Sequence, residues 1–458
     1  MIHLSSRITL LCAFVGIPSE AVSQQIFVGN DTVLITRESA REIALQRSYL
    51  VRGARYAYAA ANERRTSALL EYAPSTRVGV SNSAGSSRVL TGQDNFGQPI
   101  RTDPRTFQSS SSYHSFGVSV TLLDGGQRGL LRRAAAEDSR AASADLLAAE
   151  RTVSASAERL YMAALRAQRV MEGEEGLLRS AELRVQQTRR MYGMATASRA
   201  DMLGAEADLL RQSSSLRRAR TELAIANGML ADLLRMPARS MRVVSNGIPV
   251  VSCRAAVDSA PASEVAMRDA SVRAVEARAS AFEFQSKASL RRSLPTLSMS
   301  SSITRAFSLP SYDAVWKLNP PNRAISLGVG LEVPLTGLLR SMVERRVAQN
   351  AALAQRADAD RLRVERNRMA ETSRLRVLDA IADLAVAQQA ALLARERVDI
   401  AERSFASGAS TFAALQDIVD RAAFSQRAVF EAEYAVGSSC ADAEEAGLLD
   451  YLTPGRKL

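Results

Sequence analysis

The chain has 458 residues, carries 59 Lys and Arg against 48 Asp and Glu for a net charge of +11, and is 5% aromatic. That length allows two or three ordinary domains or one elongated architecture, and a composition rich in Ala, Arg, Leu and Glu favours long helices over a compact aromatic core. The charge does not mark a nucleic-acid binder: the arginines alternate with carboxylates along helical stretches, lysine occurs at Lys287, Lys317 and Lys457, and no basic run is interleaved with stacking aromatics.

In chain order, Arg7 leads into an apolar stretch over 8–17, Pro18 ends it, and Ala21-Val22-Ser23 offers small residues at cleavage spacing. Residues 1–23 are therefore expected to be a cleaved secretory signal. Cys12 follows Leu11 rather than a small residue, so lipid attachment is not expected. No run of about 18 or more apolar residues is found, and no transmembrane helix is expected.

A first unit over 24–240 reads as helix, strand, loop, strand, long helix, turn, helix. Its strands are predicted at 75–83, with Val78 and Val80 on one side, and at 116–123, where Phe116, Val118, Val120 and Leu122 alternate with Gly117, Ser119 and Thr121. Between them, 85–113 is rich in Ser, Gly, Pro, Asn and Asp, as a surface loop should be. Asp124-Gly125-Gly126 breaks the second strand and opens a helix over 127–192, about 100 Å long at 1.5 Å per residue. Gly173 and Gly176 predict a local kink or packing change in it. A tip at 193–198 and another helix follow, then a linking segment over 241–262.

The same plan returns over 263–437, with strands at 296–304 and 325–333, a long helix over 338–405 and a tip at 406–411; a C-terminal segment covers 438–458. Pro295 follows Pro74 by 221 residues, Gly328 follows Gly117 by 211 and Gly408 follows Ala195 by 213, so the length difference falls in the interval between the strands. This is a duplicated unit, far too large for a solenoid repeat. Leu378, Ile381, Ala385 and Leu392 mark a heptad-like seam in the second long helix. After its strands the second copy has Pro334 and Gly337 in place of Asp-Gly-Gly, so the two passages from strand to helix are expected to differ.

Four alternating strands with one apolar face cannot close a membrane barrel alone, because in lipid every strand edge must be paired and the smallest barrels have eight strands. Three chains would supply twelve. The fold class expected is mainly α with a membrane β-barrel: long antiparallel helical hairpins forming an α-barrel, plus four strands per protomer in a shared twelve-stranded barrel.

The whole pattern resembles the outer-membrane efflux protein family, the TolC-like trimeric exit ducts of efflux pumps and type I secretion systems. The resemblance covers nearly the whole chain beyond the signal. It rests on the internal repeat, on the strand-to-helix entry at Asp124, Gly125 and Gly126, and on two tip motifs of the form Tyr-x-x-Gly-x-x-Ser/Thr-x-x-Asp-Val-Leu. The first copy is Tyr192, Ala195, Ser198, Asp201, Met202, Leu203; the second is Phe405, Gly408, Thr411, Ala414, Leu415, Gln416. Ala195 departs from the motif glycine and Ala414 from its aspartate.

The resemblance implies a homotrimer in outer-membrane lipid, with a helical barrel in the periplasm that opens at its tips when a periplasmic adaptor and an inner-membrane pump, ABC or proton-driven, engage it. It also implies that Asp417, just beyond the second tip, contributes one carboxylate per protomer to a ring at the entrance; taken alone, Asp417 reads equally well as an ordinary solvated helix carboxylate. Ser198 and Asp201, at capping-box spacing, serve equally well as a helix cap. Cys253 and Cys440 taken alone suit one disulfide or two buried thiols; the resemblance places both near the equator of the helical barrel, where a disulfide is expected.

No enzyme is expected and no cofactor. His114 is the sole histidine beyond the signal, and no metal-ligand spacing, phosphate-binding Gly loop or nucleophile–base pair is found. The alternative is a soluble periplasmic coiled-coil adaptor or scaffold, which has no use for four lipid-facing strands. A surface adhesin would need larger loops.

Overall fold

Alanine, leucine, arginine and glutamate are strong helix formers, and neither 127–193 nor 337–406 contains a proline, so nothing interrupts propagation over very long segments. The computed structural model describes residues 33–93, 96, 98–238, 241–245, 250–316, 319–334 and 337–449, and the expected signal over 1–23 lies outside them. In chain order the elements are β1 (Val33–Ile35), α1 (Arg37–Arg47), α2 (Tyr49–Leu70), β2 (Ser75–Gln93), β3 (Pro99–Leu123), α3 (Gln127–Gly193), α4 (Arg199–Leu234) and β4 (Met241–Val243). They continue as α5 (Val250–Ser259), α6 (Ala262–Arg268), α7 (Ala270–Arg291), β5 (Thr296–Leu309), a 3-10 turn (Tyr312–Trp316), β6 (Asn322–Glu332), α8 (Gly337–Ala406) and α9 (Phe412–Glu445). The two units therefore run α2-β2-β3-α3-α4 and α7-β5-β6-α8-α9.

The helices α3 and α8 have 67 and 70 residues and are each unbroken, so Gly173 and Gly176 do not interrupt α3. Gly173 lies against the Phe430 ring of α9, where a Cβ would sit 3.7 Å from it in ordinary van der Waals contact. Alanine is the commonest buried residue of both long helices, which lets neighbouring helix axes approach closely.

The seam of α8 differs from the one expected. Besides Ser341 near its start, its buried residues are Ala352, Ala359, Ala370, Ser373, Val377, Ala380, Leu384, Ala391, Ala401 and Phe405, two interleaved heptad series facing α7 and α9. Leu378 and Ile381 are half-buried at the margin, and Ala385 and Leu392 are exposed. The small residues won the inner face because they allow close approach, and the larger ones form a second stripe. Leu353, Val364, Leu375 and Val386 recur every eleven residues on that stripe, all exposed. The two stripes together give α8 a window of mean hydropathy 1.5, long and apolar enough by composition to cross a membrane, yet only 22% of it is buried within the chain. The expectation that no such helix exists is thus corrected. The apolarity arises from two packing stripes on one helix.

The strands exceed the expected bounds. The expected loop over 85–113 is mostly β2 and β3, which pair from Ser75 with Ser119 through Gln93 with Pro99, and β5 extends to Leu309. Serine-rich runs such as "SNSAGSS" and "QSSSSYHS" hid these extensions, since serine on both faces leaves no apolar alternation to read. Their hydroxyls instead pair across the ladder, as Ser83 with Ser111 at 2.7 Å and Ser75 with Ser119 at 2.6 Å. All four strands form one antiparallel sheet in the order β2-β3-β5-β6, leaving β2 and β6 each with one outer edge unpaired among the described residues.

Register places cross-strand partners on one face. One face carries Val78, Phe116, Ile303 and Ile325 in one tier, then Val118 and Leu327, then Val120, Met299 and Val329, then Leu123, Leu297 and Leu331. A register shift between Thr121 and Leu123 gives the last tier to Leu123 rather than to Leu122. The other face carries Ser75, Gly117, Ser119, Ser298, Ser300, Ser302, Ser326, Gly328 and Gly330.

The expected linker over 241–262 is not plain connection: β4 pairs in parallel with β1, Val33 opposite Met241 and Ile35 opposite Val243, and α5 follows. Three-residue strands with no repeat of their own give no sequence signal. Likewise α9 runs through the expected boundary at 437–438 to Glu445.

Candidate functional site

The residues singled out at the two tips occupy equivalent turns. The α3–α4 tip closes with the Met194 and Ala195 amides donating to the Arg190 and Tyr192 carbonyls, and with Ala195 in left-handed backbone at φ 56°. In the α8–α9 tip the Ser407 and Gly408 amides donate to Arg403 and Phe405, and Gly408 stands at φ 76°. Both are left-handed helix C-terminal turns, a conformation natural to glycine and costly for alanine. The following helices are capped in the same register. The Asp201 amide donates to Ser198 Oγ at 3.1 Å while the Ser198 amide donates to the Asp201 carboxylate at 3.0 Å, a complete capping box. At the second tip Thr411 Oγ1 accepts from the Ala414 amide at 3.3 Å, and the reciprocal half is missing because Ala414 has no carboxylate.

Asp201 also accepts from the backbone amide of Phe412, which ties the start of α4 to the start of α9. Its carboxyl is held below the ordinary aspartate range, chiefly by the Ser198 hydroxyl. Between the hairpins, Val185, Ala205, Ala401, Phe405, Phe412, Leu415 and Val419 form a small apolar core, with the Phe405 and Phe412 rings edge to face at 6.0 Å. Tyr192, at the position matching Phe405, is 42% exposed instead.

One turn deeper lies an ion network that the motif reading did not reach. Arg184 of α3 donates to the buried Asp208 of α4 at 3.0 Å, and Arg211 bridges Asp208 at 2.8 Å to Asp420 of α9 at 3.1 Å. Burial by itself would raise the Asp208 carboxyl, but hydrogen bonds from Arg184 and Gln416 outweigh it and the net shift is downward. Asp417 stands on the exposed side of α9 and pairs with Arg421 one turn on, at 2.9 Å. Arginine–aspartate pairs at spacings of 3, 4 and 24 residues are too common in so charged a chain to single these out.

At the first barrel-to-helix junction, Gly125 and Gly126 have φ 64° and 84°. The Asp124 carboxylate accepts from the Gly126 and Arg128 amides at 3.0 and 2.9 Å and from the Arg128 guanidinium at 2.9 Å. Arg128 in turn donates to the Glu71 and Thr121 carbonyls and lies over the Tyr72 ring, so one arginine joins the ends of α2 and β3 to the start of α3. A Cβ on Gly125 would come within 2.6 Å of Leu294, so close approach and backbone both demand glycine. At the second junction no such pair is found among the described residues, and the Gly337 amide, at the start of α8, donates to the Pro334 carbonyl at 3.2 Å.

At mid-length Cys253 of α5 is joined to Cys440 of α9 in a disulfide, both residues being 1% exposed. The bond fastens the segment between the units onto the second hairpin. Among the described residues no cluster of His, Cys, Asp and Glu could hold a metal ion.

An exposed apolar sheet face, open strand edges and paired helical hairpins about 100 Å long make up an architecture also seen in solved outer-membrane channels. Solved channels of that class share the fold. The open state of the MtrE outer membrane channel of Neisseria gonorrhoeae superposes with a TM-score of 0.70 at 16% identity, covering 90% of this chain and 88% of that one. The outer membrane protein VceC of Vibrio cholerae gives 0.66 at 17%, covering 90% and 95%, and CusC gives 0.70 at 13%, covering 92% of each. No family model matches the sequence, and no curated protein matches it. The likeness is one of fold, and the TolC-like architecture expected from the repeat and the tips is the architecture found.

Proposed function

We propose that the chain is a passive exit duct of the outer membrane. Three copies close one twelve-stranded barrel in outer-membrane lipid, and their hairpins form a tunnel through the periplasm. A periplasmic adaptor and an inner-membrane pump, in a tripartite efflux or type I secretion system, open it at the tips. The observation that carries this reading is the sheet. Ile325, Leu327, Val329 and Leu331 on β6 are 65%, 69%, 67% and 67% exposed, beside two free strand edges. In hydrocarbon each unpaired backbone group costs several kcal/mol, so further copies must cover those edges. A soluble periplasmic scaffold would leave the same residues in water without a use.

In this reading Tyr192, Ala195, Ser198, Asp201, Phe405, Gly408 and Thr411 shape the closed end, and Asp417 of each protomer lines the entrance. Arg421 tempers that carboxylate, so its pull on cations is modest. The protein is expected in the outer-membrane fraction as a detergent-stable trimer that forms cation-preferring channels in planar bilayers. Asp417→Asn should weaken the preference and leave the trimer intact. Release into the soluble periplasm as a monomer contradicts the reading.

A further inference from the structure

Above the apolar tiers of the sheet runs a row of cations. Val80, His114, Arg305 and Arg323 are cross-strand partners on β2, β3, β5 and β6, one tier beyond Val78, Phe116, Ile303 and Ile325. Because partners two residues apart along a strand share a face, the row lies on the apolar face. Partners on neighbouring strands have Cα atoms about 5 Å apart, and like charges set directly opposite each other disfavour pairing. Arg305 and Arg323 are so placed. Arg305 donates to the neutral side chain of Asn319, and among the described residues neither arginine pairs with a carboxylate. The neighbouring carboxylate, Asp313, accepts from Ser311.

Beyond the row, the 3-10 turn forms a ledge on the same face. Ser110 Oγ accepts from the Ala314 amide at 3.1 Å, and Asn82 Nδ2 donates to the Val315 carbonyl at 2.9 Å. The ledge covers Ser110 and Ser112, which are 2% and 1% exposed, and presents Trp316, 82% exposed, at its end. Since β3 descends from this level through the apolar tiers to Asp124 and α3, the row lies farther from the helices than those tiers, near the far ends of β5 and β6. Apolar tiers, then cations, then an exposed aromatic follow the order of acyl chain, headgroup and interface in one leaflet.

We propose that Arg305 and Arg323, with His114 beside them, bind the phosphate of a phosphorylated membrane lipid whose acyl chains lie along Phe116, Ile303 and Ile325. The proposal rests on the reading that this face meets lipid, and it adds a charge-selective headgroup site that an apolar band does not require. Its test titrates the full-length protein in detergent with diphosphorylated lipid A, with the same glycolipid stripped of phosphate, and with inorganic phosphate. Bound lipid is counted by native mass spectrometry, and each variant is reconstituted in parallel into phosphatidylcholine vesicles. The phosphorylated lipid should be preferred by about ten-fold or more, on the scale of two arginines near a membrane surface. Arg305→Gln with Arg323→Gln should abolish the preference, Arg305→Lys with Arg323→Lys should retain it, and inorganic phosphate should not compete. Arg77→Gln, on the opposite face of the sheet, should also retain it. Equal binding of both lipids, an unchanged preference in the double glutamine variant, its loss in Arg77→Gln or the double lysine variant, or displacement by inorganic phosphate overturns the headgroup site; reconstitution into vesicles then still upholds the membrane reading. A chain that does not reconstitute overturns both.

Discussion

Ala195 and Gly408 hold the same left-handed turn in the two tips, one with a Cβ and one without. Placing a Cβ in that region costs an L-residue roughly 1–2 kcal/mol, partly offset by the greater unfolded-state freedom of glycine. Ala195→Gly should therefore stabilise the protein by about 0.5–1 kcal/mol, read as a rise in the denaturation midpoint, and Gly408→Ala should lower it. Asp208 is the residue whose charge the tip depends on most. Its carboxyl is buried against Arg184 and ionises below its ordinary value of 3.8. The stabilisation it gives is thus fully present above that value and is lost as the pH falls through the lowered one. Removing one partner of such a buried pair costs about 3–5 kcal/mol. Asp208→Ala should loosen the α4–α9 contact, seen as faster hydrogen exchange of the tip amides, and should flatten the acid limb of the stability curve.

The long helices and the cores of all four strands were legible at the level of elements. Uninterrupted helix formers and clean alternation in "FGVSVTLL" and "ISLGVGLEV" each point one way. The duplication added a second reading of every feature, which is why the tips and the Asp124-Gly125-Gly126 junction stood out. Three things were not legible. Serine-rich strand extensions carry no periodicity, and the three-residue pair β1–β4 is made by tertiary contact alone. The inner seam of α8 follows its alanines rather than its leucines, because the seam is chosen by how closely α7 and α9 approach. The Cys253–Cys440 bond is also an element-scale device, joining α5 to α9 across 187 residues of sequence. Replacing both cysteines by serine should cost about 2–4 kcal/mol, measured by thermal unfolding of the trimer. Unreduced, denatured protein should take up no alkylating reagent at either position; labelling of both would remove the staple.

At the scale of the whole molecule, the chain is incomplete in two matching ways. Among the described residues the sheet ends in two free edges, and α8 carries an apolar stripe, including Leu375, Val386 and Ile400 at 59%, 69% and 61% exposure, that none of them covers. The free edges belong to β2 of the first unit and β6 of the second, and the stripe lies on α8 of the second. A ring of identical copies satisfies both at once, since a rotational assembly sets the β6 edge of one protomer against the β2 edge of the next. The central claim is that closure. It is tested most directly by placing one cysteine at Val80 on β2 and, in separate variants, a second at Ile325, Leu327 or Val329 on β6, then oxidising intact membranes. The account predicts that at least one pair yields cross-linked dimers and trimers on a denaturing gel, abolished by reductant, while either single cysteine stops at dimers or below. Monomer alone from every pair, in protein recovered from the outer membrane, would contradict it.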